Sequence, residues 1–180
     1  VQHNGIIFNT SANAQAAWDR TQGFGGTLFA VNAKGGTLFG RPAFATCAEI
    51  GEAPDLAVIA VSPPQVPDTV DQLGRLGVRA ISVISGGFSE LGPEGHALQE
   101  EVVRRAHAHG ARIIGPNTLG LMRPAVALNA SFASAMPPRG NLGFISQSGA
   151  LVVGLVEYAI EECIGFSKVI SIGDKSDLDD

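Results

Sequence analysis

The stretch Phe144-Ile145-Ser146-Gln147-Ser148-Gly149-Ala150-Leu151 joins the end of an apolar run to an amphipathic one. From there Val152, Leu155, Val156, Ala159, Ile160 and Cys163 recur at helical spacing, which predicts a helix over Ser148 to Glu162. A turn of small hydroxyls and a glycine ahead of a helix leaves backbone N–H groups unpaired at the positive end of its dipole. That chemistry suits an anion, with Ser146, Ser148, Gly149 and Ala150 as the phosphate-binding residues. A helix cap would account for one of the two serines. The order Phe-Ile-Ser-Gln-Ser-Gly lacks the Gly two before Ser that a nucleophile elbow requires, so a serine hydrolase is the weaker enzyme reading.

More small-residue loops follow other apolar runs. Val31 leads into Asn32-Ala33-Lys34-Gly35-Gly36, and Val61 into Ser62-Pro63-Pro64. Ile84 leads into Ser85-Gly86-Gly87-Phe88, and Ile114 into Gly115-Pro116-Asn117-Thr118-Leu119-Gly120. Glycine lets backbone N–H groups approach a ligand, and Lys34 can meet a phosphate. Any one such loop is ordinary turn punctuation. Together, at strand ends, they point to a nucleotide-like ligand. His96, His107 and His109 share one amphipathic stretch without ligand geometry, so no metal site is expected. Cys47 and Cys163 have no metal spacing and no disulfide framework, and read as buried, reduced thiols of a cytoplasmic protein.

These loops need elements to hold them. Short apolar runs at Ile6 to Phe8, Thr27 to Val31, Leu56 to Val61, Val78 to Ile84 and Ala111 to Ile114 read as strands. Leu56 to Val61 has no polar alternation, as expected for a strand covered on both faces. Between them Val66, Val70 and Leu73 repeat at helical spacing, as do Leu98, Val102, Val103 and Ala106 after Gly92-Pro93. Alternating βα units predict a Rossmann-like, doubly wound parallel sheet with ligands beyond the strands' carboxyl ends. This domain is expected over residues 1–124. The aperiodic, Ala-, Ser- and Pro-rich residues 125–140 read as a linker. Residues 141–180 then open a second α/β unit, whose two strands and one helix are too few to close a core.

Composition sets limits. The 180 residues are 45% hydrophobic and 16% charged, an ordinary globular balance. A net charge of −5 argues against nucleic acid or an anionic membrane as partner. No run is long enough to span a bilayer, and no basic-then-apolar leader points to export.

The runs Val31 to Gly36, Ser85 to Phe88, Gly115 to Gly120 and Phe144 to Leu151, with Ser171-Ile172-Gly173-Asp174-Lys175, resemble the ADP-forming acyl-CoA synthetases, relatives of the succinyl-CoA synthetase alpha subunit. The resemblance implies a CoA-binding domain followed by the start of a flavodoxin-like ligase domain. It implies a ligase joining a small carboxylic acid to CoA with ATP and Mg2+, through acyl-phosphate and phosphohistidine intermediates. Asn32 and Lys34 would face CoA phosphates, Ser62 and Pro63 the adenine, Ser85 and Gly86 the pantetheine path, and Asn117 the thiol end. Ser11 would join the CoA-binding set from the first loop. The phosphohistidine is expected beyond Asp180, leaving no catalytic residue in this chain, which should be inactive alone. An ATP-grasp domain or beta subunit would be its partner, and a homo-oligomer is compatible. The sequence departs from the family where residues 9–13 lack the usual Gly-Ala-Ser loop and where Ala33 replaces a proline. The degenerate first loop keeps open a regulatory alternative, a CoA- or acyl-CoA-sensing domain fused to an acetyltransferase.

Overall fold

The structure, a computed structural model, describes residues 6–10, 23–38 and 40–178, with the backbone alone for residues 6–10 and Arg41. Seven strands build the first sheet: β1 (Ile6–Thr10), β2 (Leu28–Val31), β3 (Thr37–Leu38), β4 (Arg41–Phe44), β5 (Leu56–Ala60), β6 (Ala80–Val83) and β7 (Arg112–Ile114). Their order is β3-β4-β2-β1-β5-β6-β7. All pairings are parallel except β3 with β4. From β1 the chain moves outward through β2 and then returns to β5 on the other side. Such a reversal opens a crevice at the strands' carboxyl ends.

Helix α1 (Val66–Leu76) buries Val66, Val70 and Leu73 and stops at Gly77, whose φ of 100° a side chain would resist. Helix α2 (Pro93–Ala108) starts with proline at a position that needs no N–H and buries Val102 and Ala106. Both pack on one face of the sheet with Val31, Ile59, Ile81, Val83, Phe88 and Ile113.

The opposite face is covered by a hairpin whose second strand was assigned from sequence to the linker. Residues 120–131 form a hairpin of β8 (Gly120–Arg123) and β9 (Leu128–Ser131), paired antiparallel. Leu128 and Ala130 bury themselves against Ala30, Val58, Ala60 and Ile84. The alternate residues, Asn129 and Ser131, are also buried and satisfy each other, with the Ser131 hydroxyl donating to Asn129 Oδ1 at 2.6 Å. β9 is only four residues, Leu-Asn-Ala-Ser, too short and too weak in strand propensity for its alternation to stand out in the sequence.

The same hairpin corrects the expectation that the second unit cannot close a core. Strands β10 (Arg139–Ser146) and β11 (Phe166–Ser171) pair parallel, and β11 pairs antiparallel with β8. The resulting sheet, β10-β11-β8-β9, supports helix α3 (Gly149–Glu161). Met122 and Ala133 meet Val152, Val156, Ala159, Phe166 and Val169 in one buried cluster. Two further expectations fail locally. Ile160 is exposed, and Cys163 lies outside the core, past the helix end at φ 55°. Cys47 is buried, and that burial pushes its thiol up to about 11. Among the described residues, no helix is long and apolar enough to cross a membrane.

Candidate functional site

Parallel strands deliver the loops after β2, β5, β6 and β7 to one edge of the first sheet. After β2, the Asn32 side chain accepts the Lys34 N–H at 2.9 Å, and Gly35 N–H donates to the Asn32 carbonyl at 2.7 Å. This tight turn leaves the Lys34 side chain in solvent. Beside it lies a cleft of about 450 Å³ lined by Asn32, Lys34, Gln65, Asp68, Thr69 and Gln72, among others. The start of α1 forms one wall, so the dipole and Lys34 act in the same sense on an anion. Asp68 opposes them but is paired with Arg105 at 2.6 Å.

A second cleft of about 430 Å³ continues over Ser62, Pro63, Ser85 and Gly86. Val61 lines both clefts. Ser62 donates to Gln65 Oε1 at 2.9 Å, and the Ser85 hydroxyl donates to the Val61 carbonyl. These bonds fix neighbouring loops to each other. Phe132, just past the hairpin, closes one side of the second cleft.

At the far end Asn117 stands exposed with φ 56°, a conformation asparagine tolerates better than most residues. Its N–H donates to the Ser85 carbonyl at 2.9 Å, and its side-chain Nδ2 donates to Asp174 Oδ1 at 3.3 Å. Asp174 arrives from the loop after β11, whose backbone N–H donates to the Pro116 carbonyl at 3.0 Å. Gly173 makes that approach possible: any Cβ there would collide with the Pro116 and Asn117 carbonyls. Burial pushes the Asp174 carboxyl above its ordinary value, with repulsion from Glu90 adding to it, against the hydrogen bond from Asn117. For Glu90 burial acts upward too, yet N–H donors from Gly87, Glu90 and Phe88 outweigh it and hold the carboxyl below its ordinary value.

The anion turn lies next to this knot. Ile172 N–H donates to the Ser146 carbonyl at 2.8 Å, and Leu119 N–H donates to Ser171 Oγ at 3.2 Å. Ser148 is a helix cap, accepting Leu151 N–H at 3.2 Å, while its own N–H donates to Ser146 Oγ at 3.0 Å. Among the described residues, the N–H groups of Gly149 and Ala150 meet no acceptor. The donors left for an anion are therefore those two, at the first turn of α3.

The structure thus brings Asn32, Lys34, Ser62, Pro63, Ser85, Gly86 and Asn117 along one edge, with Ser146, Ser148, Gly149 and Ala150 adjoining its far end. Ser11 lies outside the described residues. Sequence reasoning missed Gln65, Thr69 and Gln72, whose polar side chains on a helix start look like any solvated face. It also missed Glu90 as the acceptor for the Gly87 and Phe88 N–H groups, and Asp174 as the partner of Asn117. The histidines are carboxylate partners: His96 with Glu100 at 3.4 Å, His107 with Asp177 at 2.5 Å and His109 with Asp71 at 2.9 Å.

Comparison with known proteins agrees with this geometry. Residues 5–124 match a family described as CoA binding domain, and residues 139–180 match a succinyl-CoA ligase-like flavodoxin domain. Acetate–CoA ligase [ADP-forming] I of Archaeoglobus fulgidus is 41% identical over 157 residues, 87% of this chain and 23% of that protein. Acetate–CoA ligase [ADP-forming] II subunit alpha of Pyrococcus furiosus is 43% identical over 155 residues, 86% of this chain and 34% of that one. The chain therefore spans 22% to 35% of the length of the curated relatives it matches. The dinucleotide-forming acetyl-coenzyme A synthetase 1 of Ca. Korarchaeum cryptofilum, solved with phosphate and ADP, superposes with a TM-score of 0.89. It is 35% identical, over 99% of this chain and 40% of that one. With a CoA-binding match over most of its length and a ligase-like match over the rest, this chain belongs to the CoA-binding-domain family, in the arrangement CoA-binding domain followed by succinyl-CoA-ligase-like domain.

Proposed function

We propose that the chain is the alpha-type portion of an ADP-forming acyl-CoA synthetase, joining a small carboxylic acid to CoA at the expense of ATP. One observation carries this reading: two clefts that share Val61 lie along the strand ends, and the Asn117 loop bonded to Ser85 is tied through the loop after β11 to a helix terminus with free N–H donors, so an extended phosphate-bearing thiol and an acyl phosphate can meet. Lys34 and the start of α1 hold CoA phosphates, Ser62 and Pro63 line the adenine side, and Ser85 and Gly86 guide the pantetheine arm. Asn117 marks the thiol end. The N–H groups of Gly149 and Ala150 stabilise negative charge on the phosphoryl group as the thiol displaces it. A histidine outside residues 1–180 takes the phosphoryl group from ATP beforehand and passes it to the carboxylate to form that acyl phosphate, so the thiol's attack releases orthophosphate. ATP and Mg2+ belong to an ATP-grasp domain or beta subunit. We place the enzyme in the cytoplasm on the strength of its unpaired thiols.

The test is an assay of the complete protein with ATP, CoA and a panel of carboxylic acids, reading ADP, phosphate and thioester. Acid-dependent thioester formation supports the proposal. CoA binding without thioester formation from any acid overturns it and favours the acyl-CoA-sensing domain, which the ligase relatives do not favour.

A further inference from the structure

The surroundings of Gly86 are rich in acceptors and poor in donors. A Cβ at Gly86 would lie 3.1 Å from Asn117 Oδ1 and 3.3 Å from Glu90 Oε1, so both oxygens border the space the glycine leaves open. Glu90 Oε1 already accepts the Gly87 N–H, at 2.5 Å. Asn117 Oδ1 is the acceptor that remains for a ligand. An amide can turn either end outward, and its neighbours decide which. Here the deciding neighbour is Asp174: its Oδ1 accepts from Asn117 Nδ2, and its Oδ2 is buried without a hydrogen-bond partner. An ionised carboxylate accepts only, so it holds the Asn117 nitrogen inward and its oxygen outward.

We propose that Asp174 is a positioning residue, fixing the Asn117 amide so that its oxygen accepts a hydrogen bond from the CoA thiol S–H over Gly86. This deepens the synthetase reading and rests on CoA occupying the two clefts. A carboxylate from the second sheet thereby orients a thiol-binding group on the first, which explains why an acidic oxygen is buried there without a donor of its own.

The test is calorimetric titration of the complete protein with CoA and with desulfo-CoA, in which hydrogen replaces the thiol. At about pH 7 a thiol with a pKa near 8.5 keeps its proton. Wild type binds CoA more tightly than desulfo-CoA by about 2- to 10-fold, the ratio for one modest hydrogen bond. In Asp174→Asn and in Asn117→Ala that ratio falls to about one. A purely structural role for Asp174 would weaken both ligands alike and preserve the ratio, and that result overturns the proposal. Equal binding of the two ligands by wild type overturns it as well. Failure of wild type to bind either ligand removes the CoA site itself, so the two levels of the argument fail separately.

Discussion

At the scale of single residues, the site combines side chains that serve the fold with others whose energetic cost the fold must carry. Ser148 belongs to the first kind. Ser148→Ala should cost about 1 kcal/mol in chemical denaturation, the usual value of an N-cap. Ser148→Asp keeps an oxygen acceptor at the cap and should melt close to wild type. It places a negative charge where the phosphoryl group must sit, so turnover of the complete enzyme should vanish with CoA affinity intact. Normal turnover would leave Ser148 a cap and nothing more. Asp174 belongs to the second kind. Its folded pKa lies above the ordinary 3.8, so protonation favours the folded state. Its favourable share of stability is present at acid pH and is lost as pH rises through the folded value. Asp174→Asn removes that burden and should melt above wild type at pH 7, with the gap closing as pH falls below about 4. A melting temperature lower than wild type at pH 7 would contradict the assignment of Asp174 as a carboxylate whose charge the fold disfavours.

At the scale of elements, legibility in the sequence followed periodicity. β5 and α2 could be read because an unbroken apolar run and a 3.6-residue repeat each have few alternatives. β3 and β4 could not: one has two residues, and the other carries Pro42, which reads as a turn. The β8–β9 hairpin was hidden because its strands are four residues each and rich in weak strand formers, and the burial of Asn129 and Ser131 depends on each other and on a distant sheet. Helix-to-helix packing was equally invisible. Gly74 on α1 looks like a weak helix residue, yet a Cβ there would run into the ring of His109, which pairs with Asp71 on the same helix. Gly74→Ala should therefore destabilise, by about 1–3 kcal/mol as for other overpacked sites, despite alanine's better helix propensity. A rise in the urea midpoint would show that the ring moves aside freely.

At the scale of the whole molecule, the alternation of strands and helices placed the loops on one edge before any geometry was known. It could not show that the second sheet borrows β8 and β9, because that pairing joins residues about fifty positions apart. Nor could it show Asp174 reaching Asn117. One consequence follows for the isolated residues 1–180: they should form no acyl-CoA and take up no label from radioactive ATP. Label on His96, His107 or His109 would put the chemistry in the wrong part of the account. The most direct test of the central claim is calorimetric titration of the complete protein with CoA, wild type against Lys34→Ala. The strand-edge site predicts saturable binding to wild type and a loss of about 1–3 kcal/mol in the variant, the range for a charge-assisted hydrogen bond. Undiminished CoA affinity in Lys34→Ala, or no binding to wild type, would contradict it.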